Sequence, residues 1–115
     1  MFSRKTKMYR QGDVLIEPLD EVLGDTEAVP LDAGRVVLAY GEATGHAHAI
    51  AGPDVGFVAH MRAKGAADGS VTYLDIARPV ALRHEEHAPI TLPKGKYRVV
   101  RQREWDDEQE RRVAD

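Results

Sequence analysis

A chain of 115 residues with 43% hydrophobic and 30% charged side chains has the make-up of one ordinary globular domain. It contains no cysteine, which removes disulfides, thiolate nucleophiles and every cysteine-ligated zinc or iron–sulfur site. The net charge of −3 is unevenly spread: Arg4, Lys5, Lys7 and Arg10 make the first ten residues basic, whereas residues 11–97 carry thirteen acids against seven bases. An acidic body argues against a nucleic-acid partner over most of the surface. No apolar run approaches the ~20 residues of a membrane span, and no apolar segment follows the basic arm as it does in a secretory signal. A cytoplasmic domain without a membrane partner is the expectation.

Glycine and proline punctuate the chain at short intervals, and most stretches between them read as strands. Val14-Leu15-Ile16 follows Gly12-Asp13 and is closed by Pro18. Residues 17–30 are acidic, with Leu19, Val22 and Leu23 at helical spacing, and suit a loop with one helical turn. Asp32-Ala33-Gly34 is a turn signal leading into a strand over residues 35–40. Residues 46–50 alternate in a strand-like way, residues 56–61 are apolar, and residues 64–70 have the composition of a hairpin loop. Further strands are expected over 71–76, 80–83 and 96–102, the last entered through Pro93-Lys94-Gly95. Residues 106–114 place acids early and Arg111-Arg112 late, the order a helix dipole prefers, but lack an apolar stripe. The fold expected is all-β: a single barrel or sandwich of seven to nine short strands over residues 1–115. The basic arm (1–8) and a flexible or weakly helical tail (106–115) are peripheral to it.

Four of the five histidines fall in two clusters, His46-Ala47-His48 and His84-Glu85-Glu86-His87, and no other constellation in the chain points to chemistry. Imidazole is the commonest metal ligand and titrates nearest neutral pH. Residues i and i+2 of a strand share a face, with Cα atoms about 6.5–7 Å apart, so His46 and His48 can reach one ion. Gly45 lets the chain turn before them, and Glu42 and Thr44 are near enough to orient the rings. His84 and His87 are three apart and reach a common ion only from a turn or a helical turn; the expected pattern is one of them as ligand, with the other supporting it or exposed. Pro89 disfavours an α conformation at Ala88 and agrees with a turn there. The expected metal ligands are His46, His48 and His84, with His87 as the fourth candidate. Glu85 or Glu86 is then a carboxylate ligand or, if a reaction occurs, the proton-handling group. Such a site suits zinc, iron, nickel or manganese, and a three-histidine centre with an open position can bring bound water to a pKa of about 7. The competing reading is a solvated, charged strand edge. His60, after Val58-Ala59, reads as an ordinary packed or exposed histidine.

Gly41-Glu42-Ala43-Thr44-Gly45-His46-Ala47-His48, then His84-Glu85-Glu86-His87-Ala88-Pro89-Ile90-Thr91-Leu92-Pro93-Lys94-Gly95-Lys96-Tyr97, then Gln102-Arg103-Glu104-Trp105, together resemble a group of short bacterial and phage proteins with no assigned activity. Gly41 followed by His46 and His48, with the entry into Lys96-Tyr97, is also similar to the cupins, small β-barrels that bind a metal through a His-x-His strand and a later histidine. Where cupins place a glutamate, this chain offers only Asp54. His84 and His87 precede the Pro-x-Gly turn, whereas the cupin's last histidine follows it. Gln11-Gly12-Asp13-Val14-Leu15-Ile16 is similar to the first strand of co-chaperonin-like barrels.

Ser3 and Ser70 are the only serines and support no nucleophilic triad, and residues 65–69 lack the ending of a phosphate loop. Arg98, Arg101 and Arg103 are expected to pair with acids of the body or to hold an anion beside the histidines, and Trp105 to be an apolar anchor. The leading functional expectation is a divalent metal serving small-molecule binding or chemistry. The alternative is a non-enzymatic homo-oligomeric module whose histidines line a subunit contact.

Overall fold

Short runs of alternating apolar residues dictate a sheet protein, and the computed structural model, which describes residues 7–22, 24–41, 46–65 and 71–101, is all-β. Among the described residues there are ten strands: β1 Tyr9–Gln11, β2 Val14–Leu19, β3 Thr26–Ala28, β4 Val36–Tyr40, β5 Ala47–Ile50, β6 Val58–Ala63, β7 Val71–Ile76, β8 Val80–Leu82, β9 Ile90–Leu92 and β10 Gly95–Arg101. A 3-10 helix, Gly52–Phe57, joins β5 to β6. Six strands form one antiparallel sheet in the order β1-β2-β10-β7-β6-β3, while β4 with β5 and β8 with β9 make two hairpins. The sheets do not close into a barrel. No helix among the described residues is long and apolar enough to cross a membrane.

Strand alternation determines which face is buried. Val14 and Ile16 of β2, Leu74 and Ile76 of β7, and Tyr97 and Val99 of β10 turn inward. They join Val36, Leu38, Ile50, Val80, Leu82 and Leu92 of the hairpins in one apolar cluster, so the hairpins cover one face of the large sheet. Each fully buried aliphatic side chain contributes on the order of 1.5–3 kcal/mol.

Several strand boundaries differ from the sequence expectation. β2 continues through Pro18 because β1 pairs only with Val14, Leu15 and Ile16, leaving Glu17, Pro18 and Leu19 with β10 alone. A residue without an N–H is tolerated where one side of the strand has no ladder. The helical turn expected within 17–30 gives way to β3, whose Thr26, Glu27 and Ala28 pair with Ala63, Arg62 and Met61. Gly56 and Phe57 belong to the 3-10 helix rather than to β6. The three-residue strands β1, β3 and β9 bring the number above the seven to nine expected. The arm to Thr6, Leu23, the tip of the 64–70 loop, and everything from Gln102 onward, including Arg103, Trp105 and the 106–115 tail, lie outside the described residues.

Two primed turns set hairpin geometry. Gly12 and Asp13 form the two-residue β1–β2 loop, and Gly12 has the φ of +58° that the first position of such a turn demands. Ala33 and Gly34, at φ 52° and 77°, turn the chain between Asp32 and Arg35, whose backbones exchange both hydrogen bonds.

Candidate metal centre

The two histidine clusters sit at the ends of the hairpins. His46 immediately precedes β5, and its carbonyl accepts the Gly41 N–H at 2.9 Å, so it closes the β4–β5 loop. His84 and His87 lie in the bent, non-helical loop between β8 and β9. The clusters meet because Ala49 and Arg83 exchange backbone hydrogen bonds, each 2.9 Å long. That bridge aligns the start of β5 with the end of β8.

All four rings converge. The His48 ring stacks on His84 with centroids 4.2 Å apart, and His84 lies 4.8 Å from His87. His48 and His87 are 6.0 Å apart, and His46 approaches His84 edge-on at 5.8 Å. Ala47, between the first pair, is buried on β5. Ligand atoms of His46, His84 and Glu85 lie within 4.8 Å of one another. Donors around a tetrahedral zinc stand about 3.4 Å apart, so this group must draw in by roughly 1 Å to hold an ion.

Three of the rings have different polar neighbours. His84 Nδ1 accepts the Glu86 backbone N–H at 3.0 Å, which leaves the hydrogen of the neutral ring on Nε2. His46 Nδ1 stands 3.7 Å from Glu86 Oε2 at the solvent edge. His48 is 2% exposed, and its Nδ1 meets Gln11 Oε1 at 2.9 Å. Burial, reinforced by the neighbouring His84, lowers the His48 pKa to about 4, with Asp13 opposing the shift. His48 is therefore a neutral imidazole at physiological pH, the form a metal requires.

Glu85 clasps the two hairpins: its Oε1 accepts the Ala47 N–H at 3.0 Å. That backbone hydrogen bond lowers its pKa, so Glu85 is held ionised. An ionised carboxylate suits cation binding better than proton donation. Glu86 is exposed and makes its bond to His84 through the backbone.

Two groups escape a reading of histidine spacing. Asp13 Oδ1 lies 3.4 Å from His48 Nε2, and Gln11 is buried against the same ring. Both belong to the β1–β2 hairpin, more than thirty residues before His46. The available signal was Gly12 between two polar residues. A Cβ at Gly12 stands 2.8 Å from His87 Nε2 and 3.1 Å from His48 Cε1, so the glycine is needed for the close approach of the rings. Glu42, Thr44 and Gly45, expected to support the rings, lie outside the described residues.

The remaining sequence candidates have other partners. Asp54 Oδ2 accepts the Ala81 N–H at 3.0 Å and fastens the 3-10 helix to β8, away from the rings. His60 is buried with its Nε2 3.0 Å from Thr72 Oγ1. Arg98 pairs with Glu17, and Arg101 with Asp13.

Fold and site together define a small all-β domain with a histidine cluster at the joint of two hairpins. Residues 10–102 match the family described as "Domain of unknown function (DUF8820)", and the chain belongs to it. Comparison with curated proteins and with solved structures gave no match.

Proposed function

We infer that this domain binds a divalent transition metal through the histidines of its two hairpin ends, His46, His48, His84 and His87, with Glu85 as the carboxylate grouped with His46 and His84. The observation that carries this reading is the convergence of rings from clusters about 36 residues apart, with centroids 4.2 to 6.0 Å from their neighbours. Two further points favour it. A solvated edge has no cause to bury His48. An ionised carboxylate close to the neutral His48 imidazole is the donor mixture that zinc, iron(II), nickel and manganese accept.

Binding draws the 83–89 loop inward, because the His84 ring must exchange the Glu86 N–H for the ion or re-form as the other tautomer. A small ligand or a water on an open coordination position is then polarised beside Glu85 and Glu86, which is the route to any chemistry.

The test is metal content and affinity of protein purified without a histidine tag. Wild type is expected to carry or take up one of the four metals, and a free concentration 100 times Kd to stabilise the fold by about 2.7 kcal/mol. That corresponds to a rise in Tm on the order of 10 °C, reversed by chelator. His46→Ala and His48→Ala are expected to lose the shift while the mass in solution stays unchanged. A wild-type protein with no affinity for zinc, nickel, manganese or iron(II) ends the reading.

A further inference from the structure

The contact between His48 and Asp13 has a geometry that hydrogen bonding does not account for. Gln11 Nε2 donates to the carbonyls of Leu82 and Ala88, each at 3.0 Å. Two carbonyl acceptors fix which end of the amide is nitrogen, so Oε1 is the atom facing His48 Nδ1. Nδ1 must then carry the ring hydrogen, and Nε2 presents a bare lone pair.

That nitrogen lies 3.4 Å from Asp13 Oδ1. The other oxygen of the carboxylate, Oδ2, takes the Arg101 Nε–H at 3.2 Å, and Arg101 Nη2 is anchored on the Tyr40 carbonyl at 2.6 Å. Two acceptors thus stand 3.4 Å apart beside a buried ring, and each is held there by its own partner. Repulsion between them calls for a positive centre in the gap. A shared proton draws nitrogen and carboxylate oxygen to about 2.7–2.9 Å, well short of the distance found. Bonds of about 2.0–2.2 Å to one tetrahedral metal place a nitrogen and an oxygen donor roughly 3.3–3.5 Å apart. The separation is that of two ligands on one ion.

We propose that Asp13 is a metal ligand: a divalent cation lies between His48 Nε2 and Asp13 Oδ1, and Gln11 is the positioning residue that fixes the His48 tautomer. This rests on the metal-binding reading and deepens it, because it adds a third chain segment, the β1–β2 hairpin, to the centre. The centre then has mixed nitrogen and oxygen donors rather than imidazole alone.

Cobalt(II), used as a spectroscopic stand-in for zinc, tests the proposal. Asp13→Asn is expected to weaken cobalt binding at least as much as the about 10–100-fold that loss of an outer hydrogen-bond partner costs. Arg101→Gln, which removes the ion pair of Asp13 but not its carboxylate, is expected to bind cobalt as tightly as wild type or more so. The chain has no cysteine, so a thiolate-to-cobalt charge-transfer band in Asp13→Cys can arise only from position 13, and that band is expected. Undiminished binding by Asp13→Asn overturns the proposal while leaving the metal-binding reading intact. So does an equal loss in Arg101→Gln, which would make Asp13 a partner of Arg101 only. A wild-type protein that binds neither cobalt nor zinc overturns both.

Discussion

His60 and His48 are both buried in this fold, and the pKa of each is lowered to about 4 chiefly by desolvation. Their surroundings differ. His60 lies on β6 of the large sheet and spends its Nε2 on one neutral hydroxyl, Thr72 on β7. His48 stands on a hairpin among three other imidazoles, an aspartate and an orienting amide. Burial alone gives a neutral, structural histidine. A site needs a bare nitrogen aimed at another donor, and only His48 has one of the two.

The largest effect expected separates the shared property from the different one. Unfolded imidazoles, near pKa 6.5, take up protons before the folded ones, which resist to about pH 4. Stability is therefore complete above pH 6.5 and declines as pH falls from 6.5 through 4, by about 3 kcal/mol for each of the two residues. Denaturant midpoints between pH 7 and 4 measure this. His60→Gln is expected to halve the slope and leave metal affinity untouched. An unchanged slope breaks the equivalence of the two residues.

A pair of glycine variants sharpens the other side of the comparison. Gly12→Ala and Gly34→Ala both force a side chain into a positive-φ position, φ +58° and +77°. Each is expected to cost about 1–2 kcal/mol. Only at Gly12 does the new Cβ meet the His87 and His48 rings, whereas nothing lies within 4 Å at Gly34. Zinc binding by calorimetry should weaken in the first variant and not in the second. The smallest effect is expected at the exposed face of the large sheet, where Arg98 on β10 sits opposite Glu17 on β2 with Nη2 2.6 Å from its carboxylate. Arg98→Gln should cost less than about 1 kcal/mol, because solvent screens the pair.

The same contrast explains what could be read in advance. β7, Val71–Ile76, matched its sequence expectation residue for residue, because six positions suffice to display alternation. β1, β3 and β9 have three residues each, too few for a period of two to stand out. Leu19 closes β2 and Val22 lies beyond it, so their helical spacing had no helix behind it. The histidine clusters were legible because both ligand spacing and turn residues are local. Asp13 and Gln11 were not, since their place beside His48 depends on how the β1–β2 hairpin docks against residues far along the chain.

Ala49 and Arg83 carry a consequence of their own. Their two hydrogen bonds, together with the Glu85 clasp on Ala47, join the two hairpins, and the rings gather beside that joint. Fraying confined to this seam can scatter the imidazoles while the six-stranded sheet keeps its protection. Solvent exchange at these two amides then reports whether the ring cluster is assembled, and an ion bound as proposed would act as a rivet, slowing that exchange ahead of any change in the sheet.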